Sequence, residues 1–419
     1  MKYIIEGGKK LIGEVKISGN KNSVLACMSA ALLTDEEVVL ENVPDISDVD
    51  VMIEIFSELG VKVEKDSSKM VITARDLKTY KLRDELVKRL RASILLAGPL
   101  INRMGKVELT FPGGDVIGKR NIEVHLEGFS RLGVNVSTKD SRFALEYPGQ
   151  FLKDNVSIFL EEASNTAAEN LILTSVLSKR IVTLKNCPSE PQIIDLCQML
   201  ISMGARIQGA GTRTITIEGV DKLHGSSFRI SDDYIELATY VIAAVITGGK
   251  IKFLFKSDLD LEPVFLVLKK FGIDLIDVEG GFSVEVKELK GVEKVVTNIW
   301  PGFPTDLMSA LIVLASQSKG ETLCHDWMYE SRMFFVDKLI GMGAEMIIAD
   351  PHRVVVYGPS KLTGRELETP DLRAGMALVL AGLVADGKSI INRAELIERG
   401  YEDVVGKLSK LGAKIKREE

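Results

Sequence analysis

Six times along the chain the same short pattern returns, an apolar residue, a glycine and a second apolar residue running into a polar–apolar alternation. The copies are Leu59-Gly60-Val61-Lys62-Val63, Leu132-Gly133-Val134-Asn135-Val136, Met203-Gly204-Ala205-Arg206-Ile207, Phe271-Gly272-Ile273-Asp274-Leu275, Met342-Gly343-Ala344-Glu345-Met346 and Leu411-Gly412-Ala413-Lys414-Ile415. Their glycines are 73, 71, 68, 71 and 69 residues apart, which accounts for the whole of the 419-residue chain. One such tripeptide means nothing. Six at near-constant spacing mean that one supersecondary unit is used over and over.

Each copy has a physical reading. Residues 51–59 place their apolar side chains on one side of a helix. The glycine then stands where a helix ends in a left-handed residue. The alternation after it starts a strand. Upstream lies a second helix that is apolar nearly all round, as at 24–33, 171–177, 240–246, 307–315 and 376–385, and such a helix belongs in a core. β-Branched strands follow it, as at Val38-Val39-Leu40 and Ile181-Val182-Thr183-Leu184. The repeat reads as buried helix, strand, exposed helix, glycine turn and strands. Six α+β units of this kind make two globules of three, each of about 210 residues, a size that suits a single core.

Composition narrows the chemistry. The formal charge is −6, from 53 Lys and Arg against 59 Asp and Glu, which argues against nucleic acid. An anionic small substrate then needs a local basic cluster. The four cysteines, Cys27, Cys187, Cys197 and Cys324, form no CxxC, and His125, His224, His325 and His352 show no ligand spacing. No metal and no cofactor is therefore expected. Few cysteines without a framework fit a reducing cytosol. Residues 1–7 turn polar too early for a signal peptide. The longest apolar run, 374–385, falls short of the roughly 18 residues that suggest a membrane span.

The starts of the apolar helices are unexpectedly polar. They carry Ser18-Gly19-Asn20-Lys21-Asn22-Ser23, Arg91-Ala92-Ser93, Ser164-Asn165-Thr166-Ala167-Ala168-Glu169-Asn170, Phe303-Pro304-Thr305-Asp306 and Pro370-Asp371-Leu372-Arg373. Helix capping is one reading for Ser164, Asp306 and Asp371. It does not account for Lys21, Arg91 or Arg373, because a cation at a helix N-terminus opposes the macrodipole and calls for a compensating anion. Free amides with Lys and Arg make a phosphate or carboxylate site. The stretch 111–120, Phe-Pro-Gly-Gly-Asp-Val-Ile-Gly-Lys-Arg, reads as a loop bearing one acid and two bases. Arg399, in Arg399-Gly400-Tyr401, reads equally as a surface or a site residue. Cys27 and Cys197 read as core. His125 reads either as a phosphate contact or as a helix-face residue.

Taken together, the motifs at 17–23, 91–93, 112–120, 303–306, 371–374 and 399–401 resemble the UDP-N-acetylglucosamine 1-carboxyvinyltransferases, from the first residue to the last helix and in the right order. The resemblance implies a two-domain α+β enolpyruvyl-transferase fold with three pseudo-threefold units per domain. It places residues 1–20 and 230–419 in a discontinuous domain and 21–229, with a mobile loop at 111–121, in the other, the substrate cleft lying between. It implies transfer of the enolpyruvyl group of phosphoenolpyruvate to the 3-hydroxyl of UDP-N-acetylglucosamine with release of phosphate. That is the first committed step of peptidoglycan synthesis, in the cytoplasm, and it serves cell wall, cell shape and division. By position, Lys21, Arg120 and Arg399 look like the phosphoenolpyruvate clamp. Asn22, Arg91, the run Arg120-Asn121-Ile122-Glu123-Val124, Ser164 and Met328 look like acceptor contacts. Asp306 matches the base, Asp115 the general acid, and Arg332, Asp371 and Arg373 match cleft-lining charges.

Three positions depart from the family pattern. Asp115 stands where a cysteine is usual, which predicts insensitivity to fosfomycin, an epoxide that alkylates that thiol. Glu162 stands near a frequent Lys, and Tyr234 replaces a frequent Arg. The alternatives are an enolpyruvyl transferase with another acceptor, such as shikimate 3-phosphate, and a catalytically silent paralog that binds nucleotide sugar. A shikimate-type enzyme opens its first helix with Gly-Asp-Lys-Ser rather than Asn20-Lys21-Asn22-Ser23.

Overall fold

All six repeat glycines lie in the left-handed region, with φ of 82° at Gly60 and Gly133, 100° at Gly204, 88° at Gly272, 106° at Gly343 and 96° at Gly412. The computed structural model that shows this describes residues 1–114, 117–118, 120–148 and 154–419. In five of the copies the residue after the glycine donates its N–H to a carbonyl five positions back. These bonds run from Val61 to Phe56, Val134 to Phe129, Ala205 to Leu200, Ala344 to Leu339 and Ala413 to Leu408, all at 2.9–3.0 Å. This is the Schellman closure of a helix, and a β-carbon on the left-handed residue would strain it.

The turns end the amphipathic helices Ser47–Leu59, Glu123–Arg131, Pro191–Ser202, Glu262–Lys270, Val336–Gly341 and Val404–Lys410. The apolar helices are Lys21–Ala31, Ala97–Met104, Asn165–Ser175, Tyr234–Ile246, Met308–Ser316 and Leu372–Val384. Every residue of Met308–Ser316 is buried, and every residue of Lys21–Ala31 except Asn22. The second copy departs from the expected continuous helix. Arg91–Leu96 winds as a 3-10 helix and the α-helix starts only at Ala97. Pro99 has no N–H to give to an earlier turn, so it fits only in the first turn of an α-helix.

Among the described residues the strands form six sheets, five of four strands and one of three. Each four-stranded sheet has one parallel pairing at an edge, as Ser226–Arg229 pairs with Glu37–Glu41 and Val156–Phe159 with Ile181–Lys185. In the three-stranded sheet of Lys106–Thr110, Arg142–Glu146 and Asn135–Lys139, the edge place is marked by a single parallel bridge from Lys81 to Glu108. The last repeat is completed by the start of the chain. Lys2–Glu6 runs antiparallel to Lys388–Asn392 on one side and to Lys414–Glu418 on the other, with Ile4 opposite Ile390 and Lys416.

The chain divides into two units, each with its own hydrophobic core. One comprises Met1–Ser18 and Asp232–Glu419, together with Ile117 and Gly118; the other comprises Gly19–Gly114 and Arg120–Ser231. No helix of the described residues is long and apolar enough to cross a membrane.

Gly412 isolates the conformational requirement, because a β-carbon there would approach only the Lys10 carbonyl, at 3.7 Å. Gly412→Ala is expected to lower stability by about 1–2 kcal/mol. Urea unfolding would read this as a lower midpoint at unchanged m-value. An unchanged midpoint would show that the left-handed turn is not what the glycine supplies.

Candidate functional site

The charged residues at the starts of the buried helices resolve differently one from another. Ser164 is an N-cap, accepting from the Ala167 N–H, and Asp371 is another, accepting from the N–H groups of Arg373 and Ala374. Asp306 is not a cap. It sits in the 3-10 turn Thr305–Leu307, and its carboxylate is turned to two guanidiniums.

That arrangement dominates the first unit. Arg332 Nη2 lies 3.0 Å from Asp306 Oδ1, and Arg373 Nε and Nη2 lie 3.1 and 2.9 Å from Oδ2. Arg332 is 2% exposed and Arg373 4%, whereas the Asp306 side chain is 31% exposed. So the carboxylate is only half-buried while both cations are enclosed. Burial works against each arginine's charge. The field of Asp306, helped by Asp371 and Asp326 at Arg332 and by Tyr401 and Asp233 at Arg373, outweighs it and holds both above their ordinary range. The Arg373 guanidinium also lies over the Tyr401 ring at 5.3 Å, and the Tyr401 hydroxyl lies 3.1 Å from Thr239 Oγ1. Removing Asp306 would leave two buried charges facing each other, a strongly destabilising change.

Met328 follows the strand Gly320–His325, in a turn built on Asp326. Arg399 ends the 3-10 helix Ala394–Arg399 and is half-buried. Tyr234, in place of the frequent Arg, is buried and meets Trp300 edge to face with ring centroids 5.2 Å apart. It is therefore a packing residue on the helix that Asp233 caps.

In the second unit, Lys21 opens its helix while Asn20 caps it, accepting from the Asn22 and Ser23 N–H groups. The Lys21 ammonium lies 2.8 Å from Asp48 Oδ2, both side chains nearly enclosed. The anion that the macrodipole argument demanded is thus in part the protein's own. Arg91 reaches the carbonyls of Pro112 at 3.4 Å, Arg120 at 3.0 Å and Asn121 at 3.5 Å. It straps together the two ends of the glycine-rich segment. Gly113 passes so close to the Lys88 carbonyl that a β-carbon would overlap it, and one on Gly114, with φ of 112°, would come within 2.9 Å of Arg120 Nη2. The two glycines let the backbone press against Lys88 at Gly113 and against Arg91 and Arg120 at Gly114. Asp115, the expected general acid, lies outside the described residues.

The contact run at 120–124 splits by burial. Asn121 and Glu123 are exposed, whereas Ile122 and Val124 are core residues. Glu161 and Glu162 are both exposed. His125 is 1% exposed, with Nε2 3.0 Å from Thr166 Oγ1 and Nδ1 3.0 Å from Asn170 Nδ2. Burial lowers its pKa to about 3. With the ring enclosed and both nitrogens partnered within the fold, His125 fits the helix reading and not the phosphate contact.

All four cysteines are free and buried. Among the described residues no group of His, Cys, Asp and Glu could hold a metal ion.

Two residues were not singled out by the sequence reading. Asp326 looks like any strand-end acid, but it is fully buried. Glu169 sits in an apolar helix at 3% exposure, where burial, reinforced by the Glu190 charge, raises its pKa to about 8. The folded state therefore holds a proton that the unfolded chain releases in the ordinary carboxylate range. Glu169 should make stability fall as pH rises from that range to about 8 and add no further change above it. Glu169→Gln should flatten this part of a urea-midpoint profile. An unaltered slope would mean that Glu169 ionises normally.

The sequence matches the EPSP synthase (3-phosphoshikimate 1-carboxyvinyltransferase) family over residues 5–408. It is 44% identical to the UDP-N-acetylglucosamine 1-carboxyvinyltransferase of Borreliella burgdorferi, covering 99% of this chain and 98% of that one. It is also 44% identical to the Treponema denticola protein of the same name, covering 100% and 99%. Among solved structures, the enolpyruvyl transferase NikO from Streptomyces tendae superposes with a TM-score of 0.88 at 26% identity, over 99% of this chain and 98% of that one.

Proposed function

The chain belongs to the UDP-N-acetylglucosamine 1-carboxyvinyltransferase family of enolpyruvyl transferases, and from that premise we propose how its own residues carry the reaction. The substrates are phosphoenolpyruvate and UDP-N-acetylglucosamine. The 3-hydroxyl oxygen of the sugar bonds to C2 of phosphoenolpyruvate while a proton is added to the methylene carbon. A proton then leaves the new methyl group as the C2–O bond to phosphate breaks. The products are the enolpyruvyl ether and inorganic phosphate. The addition needs an acid at carbon and an acceptor at the hydroxyl, and the elimination reverses the carbon proton transfer.

The observation that carries this reading is Asp306 between Arg332 and Arg373. Two guanidiniums favour the ionised carboxylate and hold it in one orientation. The half-buried carboxylate is assigned to accept the sugar hydroxyl and to take the proton as the C–O bond forms, when that hydroxyl becomes acidic. Lys21, Arg120 and Arg399 are assigned to the phosphate and carboxylate of phosphoenolpyruvate, where fixed cations stabilise the developing charges. Asn22, Arg91, Asn121, Glu123, Ser164 and Met328, with the main chain at Ile122 and Val124, are assigned to the acceptor. Asp371 supports Arg373 by capping its helix. The four buried free cysteines support a cytoplasmic location.

A phosphate-release assay tests the reaction. Release is expected with phosphoenolpyruvate plus UDP-N-acetylglucosamine and not with shikimate 3-phosphate. The reverse result would overturn the acceptor. Nucleotide-sugar binding without release from any acceptor would mark a silent paralog.

Asp115 is assigned as general acid. A free Asp near pKa 3.9 needs about 4 kcal/mol to be protonated at pH 7, so its site must raise that value by burial and by the substrate phosphate. Asp115→Asn should lose at least about a hundredfold in turnover, the lower range for general acid catalysis, whereas Asp115→Cys should stay active and gain fosfomycin sensitivity. Near-full turnover of Asp115→Asn, or time-dependent inactivation of the unmodified enzyme by fosfomycin, would reject the assignment.

A further inference from the structure

Asp326 is fully buried yet belongs to none of the roles above, and it joins two segments that do. It stands one residue past the strand Gly320–His325. Its Oδ1 accepts from the N–H groups of Met328 at 3.0 Å and Tyr329 at 3.4 Å, which fixes the turn leading to Arg332. Its Oδ2 accepts from the hydroxyl of Thr305, the neighbour of Asp306. Its main chain is pinned as well. The Asp326 N–H donates to the His352 carbonyl at 2.9 Å, and the Asp326 carbonyl lies 2.7 Å from His352 Nδ1. With both ends of the peptide held, the point from which the side chain projects is fixed.

The Arg332–Asp306 ion pair ties the two segments at one point, and the Asp326–Thr305 contact ties them at a second. Thr305–Leu307 opens the helix Met308–Ser316, while Met328–Arg332 follows a strand of a different layer of the same unit. A carboxylate can take hydrogen bonds on both oxygens at once, and bonds to a charged acceptor are the stronger kind. We propose that Asp326 is a positioning residue that sets the acceptor-side turn Met328–Tyr329 against the Thr305–Asp306 turn, so that the sugar hydroxyl meets the Asp306 carboxylate. The proposal rests on the assignment of Asp306 and Met328 to the acceptor made above. It also gives the Thr305 hydroxyl a function: it is the contact through which Asp326 reaches the base.

Steady-state kinetics of conservative variants test it. Thr305→Val removes the hydroxyl alone, and kcat/KM for UDP-N-acetylglucosamine should fall about tenfold, the scale of one hydrogen bond to a charged group. KM for the nucleotide sugar should rise and KM for phosphoenolpyruvate stay within about twofold, since cations elsewhere hold that substrate. Thr305→Ser keeps a hydroxyl and should restore most of the loss. In an Asp326→Asn background, Thr305→Val should lower kcat/KM by less than about threefold more, because the two groups act as one unit. A Thr305→Val enzyme that matches the unmodified one would overturn the proposal. So would Thr305→Ser no better than Val, factors that simply multiply, or equal changes in both KM values. Asp306→Asn separates the two readings. Full turnover there would remove the proposed base, whereas its loss alongside inert Thr305 and Asp326 variants would remove only the positioning role.

Discussion

A cation buried at the start of an apolar helix must find a negative partner, and this requirement organises the charged interior of both units. Arg373 enters the helix Leu372–Val384 as its second residue, where the macrodipole repels it and burial strips its water. Asp306 supplies the charge that offsets both effects and does the same for Arg332. Lys21 and Asp48 solve the same problem in the other unit. A purely structural solution would bury the anion as deeply as the cations. Asp306 is instead 31% exposed on its side chain, and that asymmetry is what the proposed role as base draws on.

The repeat explains where such clusters occur. Each unit packs three copies of one motif, and in each copy the buried helix shares a core with the strands beyond it. Apolar faces all round leave a helix only its ends for polar chemistry. Polar residues therefore gather at the N-termini, some as caps and some as charges. Ser164 and Asp371 show the first use and Asp306 the second, on the same repeat position. Departures from the ideal copy fall nearby. The broken helix at Arg91–Leu96 frees the Arg91 guanidinium to reach the carbonyls at Pro112 and Arg120.

The departures from the family pattern have physical consequences of different weight. Tyr234 is buried and meets Trp300 edge to face. Glu162 stays exposed and brings no buried charge. The role proposed for Asp115 carries the chemical weight, because a carboxylic acid and a thiol hold their protons in different pH ranges.

The repeat length, the six left-handed turns and the apolar helices were legible in the chain because each depends on local rules. A Schellman turn needs glycine at one place, and an all-apolar helix has nowhere to go but inside. Lys21, Arg91 and Arg373 were legible because a cation opposes what a helix start prefers, whereas Arg399 read equally as surface or site. What the sequence could not reveal was partnership. Capping and ion pairing use the same Asp or Ser, so only the fold separated Asp306 from Asp371. His125 lay open between ligand and core until burial decided it. Asp326 and Glu169 looked ordinary because their importance comes from enclosure by residues far away in the chain. Periodicity and turn chemistry are properties of neighbours along the chain. Desolvation and charge pairing are properties of neighbours in space, and those came into being only when the chain folded.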